Sequence, residues 1–254
     1  MASSQSSQSD EGSTREREEL PCTSRDQGGP QPRPQLGLQP LCDVVLHKKV
    51  DELVDFLLLK YNNKDVVTKA ELLHSIKDYQ EHFPLIFSKV SECLYMVFGI
   101  DVKEVDPPGH IYALLPVLGL TYNKTLGGEQ GIPKNSLLII MLSAIFTNGN
   151  HVSEEVVWEM LSRMQVFDGV EHCIYGEPRK LITEELVQEG YLEYHEVPNS
   201  DPACYEFLWG PRAYAETTKM KVLEHLAKVH GTDPLSYPRL YAEALREEEE
   251  AAHV

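Results

Sequence analysis

The residues that could carry out catalysis or hold a metal in this 254-residue chain are its ten histidines and five cysteines. None of them shows the His-Glu-x-x-His or Cys-x-x-Cys spacing that brings metal ligands together on one helix or turn. His172 precedes Cys173, but sequence neighbours point in different directions, so we predict an inert, buried thiol at Cys173 rather than a catalytic Cys–His pair. No Gly-x-Ser-x-Gly elbow, dinucleotide fingerprint or kinase motif occurs. The sequence therefore predicts a protein that is not an enzyme, holds no metal and needs no cofactor.

The overall composition limits the classes of partner. Hydrophobic residues make up 42% of the chain, which is enough for a globular core, and the formal net charge is −17. General affinity for nucleic acid comes from Lys and Arg side chains that displace counterions from phosphates. The acidic balance therefore makes DNA an unfavourable partner, although it leaves room for a local basic patch.

Cysteine usage and hydropathy predict the compartment. The five cysteines are widely spaced and odd in number, which is typical of thiols in a reducing compartment. The first residues, MASSQSSQSDEG, lack the apolar core of a signal peptide. The most apolar run, Leu137–Phe146, is too short to cross a bilayer. We expect a soluble, intracellular protein with no membrane partner.

The spacing of apolar residues predicts a tail and a first folded unit. Residues 1–45 are rich in Ser, Gln, Gly and Pro, and they predict a disordered tail. Residues 46–125 predict three helices and a hairpin, with a capping box at Thr68 and Glu71 and a helix stop at Gly99. Residues 126–135, which contain several glycines, read as a linker.

Residues 136–246 predict a second unit with the same order of elements. Leu137–Phe146 is apolar on nearly every side and predicts the most buried helix of this unit, and Ser153 caps the next helix. A third helix begins near Pro178, a hairpin follows, and further helices span residues 211–229 and 239–246. Residues 247–254 form an acidic end. We predict a mainly α fold with small β hairpins, built from tandem winged helices.

Two groups of large side chains are the candidate binding residues. The run Phe56–Leu59 lies on a helix where successive residues diverge by about 100°, so at least one leucine must face away from the core. Aromatic residues of the second hairpin, the wing, have two interpretations. They pack the wing onto its own helices, which is the favoured interpretation, or they line a peptide-accepting cleft between the two units. These aromatic residues are Tyr191, Tyr194, Tyr205, Phe207 and Trp209.

Several long segments resemble one known family. The segments EPRKLITEELVQEGYLEY (177–194) and DPACYEFLWGPRAYAET (201–217) are similar to the second half of the MAGE (melanoma-associated antigen) homology domain. FLLLKY at 56–61, VTKAELL at 67–73 and VFGIDVKEVDPPGH at 97–110 extend the resemblance to about residues 46–246. The similarity is to the antigen-type members of the family, and it implies the same tandem winged-helix architecture.

The resemblance implies a function. It indicates a non-catalytic adaptor that binds and regulates a RING-type E3 ubiquitin ligase and helps to recruit its substrates. In MAGE proteins a dileucine in the first helix is tied to ligase binding, and the matching residues here are Leu57 and Leu58. The resemblance also implies a cleft that captures substrate peptides or proteins, further partners such as histone deacetylase or other corepressors, and a location in the nucleus and cytoplasm.

Two alternative functions stay open. A transcriptional regulator would place the third helices of the winged helices on DNA, but those helices carry few cations: Lys89 in the first, and Arg179 and Lys180 in the second. A co-regulator that acts through protein contacts fits better. A structural subunit of a chromosome-maintenance complex, as in a divergent branch of the family, is disfavoured by the long Ser/Gln-rich tail.

Overall fold

A computed structural model describes residues 42–128 and 131–253. The predicted disordered tail therefore lies almost wholly outside the described residues. The last residues of the predicted tail are described, and they are helical: the first helix begins at Asp43, three residues before the predicted start of the folded unit. The described residues form one compact unit, so the predicted domain boundaries at 125 and 136 stay a prediction.

The first winged helix contains three helices and a three-stranded antiparallel sheet. Its elements are α1 (Asp43–Asn62), β1 (Val67–Thr68), α2 (Lys69–Ile76), α3 (Phe83–Phe98), β2 (Ile100–Asp106) and β3 (Ile111–Pro116). The strand order is β1-β3-β2. The predicted capping box is present: the Glu71 amide donates to the Thr68 hydroxyl at 3.2 Å, and the Thr68 amide donates to the Glu71 carboxylate at 2.8 Å. Gly99 ends α3 in the left-handed conformation, with φ of +65°.

The second winged helix repeats this order. Its elements are α4 (Asn135–Thr147), β6 (Val152–Ser153), α5 (Glu154–Arg163), α6 (residues 178–188), β7 (Leu192–Glu196) and β8 (Tyr205–Trp209), preceded by a small hairpin of β4 (Thr125–Leu126) and β5 (Ile132–Pro133). The strand order β6-β8-β7 matches that of the first sheet. The chain is thus mainly helical with small antiparallel sheets, and the tandem winged-helix prediction is confirmed.

Three helices close the described chain where the sequence predicted two, and both predictions are corrected. The helix predicted at 211–229 is divided into α7 (Pro211–Glu216) and α8 (Lys219–His230), because Thr217 and Thr218 are extended and the Thr218 hydroxyl caps α8. The last helix, α9 (Pro238–Ala252), continues through the glutamates that were predicted as an acidic end. Glu243 of α9 is 3.0 Å from the buried Lys219 ammonium, and Glu247 also contacts it, so α9 is fixed to the start of α8.

Each winged helix has its own hydrophobic cluster. The first is formed by α1, α2, α3 and the start of β2, and the second surrounds α4, which is buried along most of its length as predicted. Leu120 and Tyr122 belong to the second cluster. The Glu216 carboxylate accepts a hydrogen bond of 2.7 Å from the Thr121 amide. The chain between the two winged helices is therefore packed onto the second one before it reaches the predicted linker.

Side chains join the two winged helices at their boundary. The Tyr95 hydroxyl of α3 lies 2.8 Å from Nδ1 of His225 on α8, and the Lys228 ammonium lies 3.8 Å from the centre of the Tyr95 ring. A β-carbon added at Gly99 would lie 2.7 Å from Cδ1 of Ile139 on α4. The missing side chain at Gly99 therefore lets the end of α3 approach α4.

Candidate functional site

The leucine run of α1 divides between the core and the surface. Leu57 and Leu58 are 1% and 9% exposed and belong to the first hydrophobic cluster, whereas Leu59 is 44% exposed. The expectation that at least one leucine faces away from the core is therefore confirmed. The role of Leu57 and Leu58 in ligase binding stays a prediction, and their burial means that they support α1 from inside the protein.

The wing aromatics pack against the second winged helix. Tyr191, Phe207 and Trp209 are buried, and the Trp209 indole N–H donates to the Leu142 carbonyl of α4 at 2.9 Å. The Tyr194 ring stacks on Tyr205 with a centroid distance of 5.0 Å. These contacts fasten the hairpin to its own helices, as the favoured interpretation predicted.

Tyr194 is also bound through its hydroxyl, which donates to Glu154 at 2.5 Å. Burial and the neighbouring Glu154 carboxylate raise the pKa of Tyr194 above its ordinary value. The alternative interpretation, in which these aromatics line a cleft between the two units, stays a prediction. None of the five lines either of the two cavities between the winged helices that are described next.

A groove between the two winged helices consists of two adjoining cavities. One has a volume of about 530 Å³ and the other about 690 Å³, and both lie within the usual range for ligand sites. Leu115, Pro116 and Gly119 line both cavities, so the groove passes across the end of β3. We call the smaller part the lysine cavity and the larger part the tyrosine cavity.

The tyrosine cavity contains buried polar atoms without partners. Tyr122 is 2% exposed and Asn135 is 1% exposed, and neither the Tyr122 hydroxyl nor Oδ1 of Asn135 has a hydrogen-bond partner among the described residues. The Asn135 amide nitrogen donates to the Tyr61 hydroxyl at 3.1 Å, which fixes the orientation of its side chain. Burial raises the pKa of Tyr122, so this hydroxyl stays protonated at neutral pH and can donate.

The lysine cavity is lined by the open end of the first hairpin, where β2 begins and β3 ends, and by one face of α8. Lys103, Lys221 and Lys228 line it together with the carboxylates of Asp101 and Glu224. Asp101 lies 3.6 Å from the Lys103 ammonium and 3.8 Å from that of Lys228.

His225 and Tyr95 form the contact between helices beside these lysines. Burial, with Lys228 and His230 nearby, lowers the pKa of His225 to about 4, so the imidazole is neutral at physiological pH. Burial raises the pKa of Tyr95 to about 12. The hydrogen bond between them therefore joins two neutral side chains.

The structure describes His172 and Cys173, the one neighbouring pair of residues considered for catalysis. Cys173 is exposed, which corrects the prediction of a buried thiol, and Nδ1 of His172 accepts from the Ile174 amide at 3.2 Å. Within residues 42–128 and 131–253 no group of three metal-ligating side chains comes together. In the same ranges no helix has the length and apolar content needed to span a membrane.

The cations of the third helices are paired with carboxylates. Lys89 on α3 lies 3.0 Å from Glu92. Arg179 on α6 forms hydrogen bonds to Asp168 at 2.6 and 2.7 Å and to Glu154 at 2.6 Å, and these carboxylates raise its pKa further. Lys180, the other cation of α6 that a DNA-binding protein would use, makes no ion pair with any described residue.

Two winged helices in one body, with a groove between them, define a tandem winged-helix protein. A sequence model described as the MAGE homology domain matches residues 120–220. The chain is 54% identical to human (Homo sapiens) Melanoma-associated antigen 10 over 246 residues, which cover 96% of this chain and 64% of that protein. It is 52% identical to human Melanoma-associated antigen 4 over 244 residues, 96% of this chain and 74% of that protein. The chain belongs to the MAGE family.

A solved structure gives a further comparison. A chain of the "Nse1-Nse3-Nse4 complex" is 38% identical, with a TM-score of 0.44, and the match covers 81% of this chain and 100% of that chain. The present chain spans less than two thirds of the length of Melanoma-associated antigen 10.

Sequence reasoning did not find the residues that line the groove. Tyr122 and Asn135 lie in or beside a segment that read as a linker, and the lysines of α8 are spread over residues 221–228. Two signals point to them: Lys221, His225 and Lys228 recur at the spacing of one helix face, and Tyr122 is a large aromatic in a glycine-containing segment.

Proposed function

We propose that this chain is a non-catalytic adaptor that binds a RING-type E3 ubiquitin ligase and brings a second protein to it. The observation that supports the proposal best is the groove, a concave surface whose lining residues include Tyr122 and Asn135, each with a buried polar atom that has no partner among the described residues. Membership of the MAGE family supports the same function. Substrate transfer would be favoured because tethering raises the effective concentration of substrate beside the ligase.

The adaptor needs two surfaces, one for the ligase and one for the substrate. The groove supplies the substrate surface. For the ligase we favour the outer face of α1, where Leu59 is 44% exposed and the buried Leu57 and Leu58 hold the helix in place. The nucleus and the cytoplasm, where we propose that the protein acts, both contain such ligases.

DNA is a less favourable partner than a protein. The third helices carry Lys89 and Arg179 in ion pairs, and a phosphate would have to compete with carboxylates at 2.6–3.0 Å. The formal net charge of −17 adds long-range repulsion. Corepressors such as histone deacetylase remain compatible with the proposal, because they would bind through protein contacts.

The test is a binding assay with the full chain and a panel of purified RING-type ligases, run beside a labelled-duplex DNA titration at physiological salt. Leu59→Glu is the informative variant, and Leu85→Glu on α3, at a position 46% exposed, is its matched control. We expect a ligase to bind the wild type and the control, and Leu59→Glu to weaken binding at least about tenfold, the loss of one well-buried apolar contact. DNA binding that weakens steeply with salt, without any bound ligase, would refute the adaptor function.

A further inference from the structure

The edge of β3 that faces the groove is unpaired beyond Tyr112. Val67 and Thr68 of β1 pair with Tyr112 and Ile111, and β1 ends there. On the other side of β3, the Val117 amide donates to the Gly99 carbonyl at 2.8 Å. Hydrogen-bonded and non-hydrogen-bonded pairs alternate along an antiparallel ladder, so this bond identifies the residues of β3 whose N–H and C=O groups bond to β2. Residues 113 and 115 therefore point their backbone groups at β2, and Leu114 points its N–H and C=O away from it.

Leu114 lines the tyrosine cavity. Outside the ladder with β2, from which its N–H and C=O point away, Leu114 makes no backbone hydrogen bond with any described residue. The opposite wall is the loop after α1. In this loop the Asp65 amide donates to the Lys60 carbonyl at 2.9 Å, so the loop does not extend β1 along the edge of β3. Pro116, the last residue of β3, has no N–H, as is usual for proline in an edge position. The cavity is thus a slot between a strand edge and a loop.

Two residues that line the same slot carry buried polar atoms. The Tyr122 hydroxyl and Oδ1 of Asn135 are buried and have no partners in the described part of the chain. Buried polar atoms are costly unless they are hydrogen-bonded, so such groups in a cavity wall indicate a polar ligand. The unpaired backbone of Leu114 offers a donor and an acceptor of the kind that a peptide group binds.

The charge at the other end of the groove is locally positive. Three lysines line the lysine cavity against two carboxylates, in a chain whose formal charge is −17. Lys221 makes no ion pair within the described ranges, and Lys103 and Lys228 share the single carboxylate of Asp101. An acidic side chain placed there would meet ammonium groups that lack full compensation.

We propose that the groove binds an extended acidic peptide segment of a partner protein, which adds to β3 as a strand at Leu114. The segment runs antiparallel to β3, in line with β1, so its N-terminal end lies beyond Pro116. Acidic side chains in that N-terminal part contact Lys221 and Lys228. The inference rests on the proposed function, because it specifies how the adaptor would hold a substrate segment. It is a case of strand addition, in which backbone bonds give affinity and side-chain positions give selectivity.

The probe is obtained by panning a phage-displayed library of random dodecapeptides on the full chain. The tightest binder is synthesised, and each of its backbone amides is methylated in turn. We expect acidic residues to be enriched in the N-terminal half of the selected peptides. Methylation should weaken binding about tenfold at two amides that lie two residues apart, because only these face the free carbonyls of Leu114 and Pro116 at the edge of β3. Methylation of the amide between them should have little effect. The Leu114 amide should shift in the nitrogen–proton correlation spectrum when the peptide binds.

The protein variant for the same assay is Lys221→Glu with Lys228→Glu. Its matched control is Lys48→Glu with Lys89→Glu, which makes the same change in net charge at exposed lysines away from the groove. We expect the first variant to bind the acidic peptide about tenfold more weakly than the control at low salt. Equal unfolding temperatures would show that both variants are folded.

Three results would overturn the proposal. They are a library without any binder tighter than on the order of 100 µM, methylation effects at helical rather than alternate spacing, and equal binding by the two charge variants. If the chain still bound a ligase in any of these cases, the strand-addition inference alone would fail. Failure of both assays would remove the adaptor function as well.

Discussion

Replacement of Leu57 and Leu58 by alanine separates two roles for the leucine run. The family resemblance suggests that this pair contacts the ligase, whereas the structure buries both side chains in the first hydrophobic cluster. If they act from inside the protein, the double variant loses ligase binding only because α1 loses its packing. If they contact the ligase, binding is lost while the fold stays intact.

The expected loss of unfolding free energy follows from the burial of the two leucines. Leu→Ala in a core costs about 2–5 kcal/mol, and Leu57 and Leu58 are only 1% and 9% exposed. The two residues are neighbours, so their costs need not add, and a total of about 4–8 kcal/mol is a reasonable expectation. This loss is comparable with the whole stability of a typical domain, about 5–15 kcal/mol. Leu59→Ala, at an exposed position, should cost less than about 1 kcal/mol.

The assay is urea unfolding followed by circular dichroism, with ligase binding measured on the same preparations. We expect the double variant to unfold at much lower urea and to lose ligase binding in proportion to its unfolded fraction. Leu59→Ala should unfold like the wild type. A double variant that kept the wild-type midpoint but did not bind the ligase would refute the argument from burial, and it would establish Leu57 and Leu58 as contact residues.

Three further predictions concern local features of the fold. Thr68→Ala removes the hydroxyl of the capping box and should lower the free energy of unfolding by about 1 kcal/mol in urea titrations, with an unchanged slope. Gly99→Ala should cost more than Gly231→Ala, because both have positive φ but only at position 99 would the β-carbon lie 2.7 Å from Ile139; equal unfolding midpoints would contradict this reasoning. The unfolded state binds more protons than the folded state between pH 6.5 and the pKa of about 4 of His225, so stability should fall by about 2 kcal/mol from pH 7 to pH 5 on account of this residue. Thermal unfolding of His225→Gln should show a smaller loss over the same pH range, and an equal loss would mean that other groups cause it.

The fold was largely predictable because each element begins and ends with a local signal. The capping box at Thr68, the stop at Gly99, the cap at Ser153 and the proline at the start of α6 depend on neighbours within four residues. The repeat of three helices and a hairpin then follows from the order of the elements. Thr217 and Thr218 were missed because the apolar spacing continues across them, although their extended backbone divides the helix.

The candidate site was less predictable because it depends on contacts between distant residues. Tyr122 and Asn135 line one cavity with Tyr61, which is more than sixty residues away in the sequence. Exposure was also uncertain: the spacing of the leucine run required one outward side chain but did not identify Leu59. Cys173 was predicted to be buried because cysteine usually is. It lies in an irregular loop instead, where its side chain is exposed.

The unpaired edge at Leu114 also affects how the protein behaves in concentrated solution. A free strand edge can add a strand from another copy of the same chain, which is a common route to aggregation. Here the exposed part is short and the formal charge of −17 keeps copies apart. Salt shortens the range of this repulsion from about 10 Å at 0.1 M to about 3 Å at 1 M. Storage without a partner therefore favours dilute buffer, and a bound peptide would protect the protein by occupying the edge.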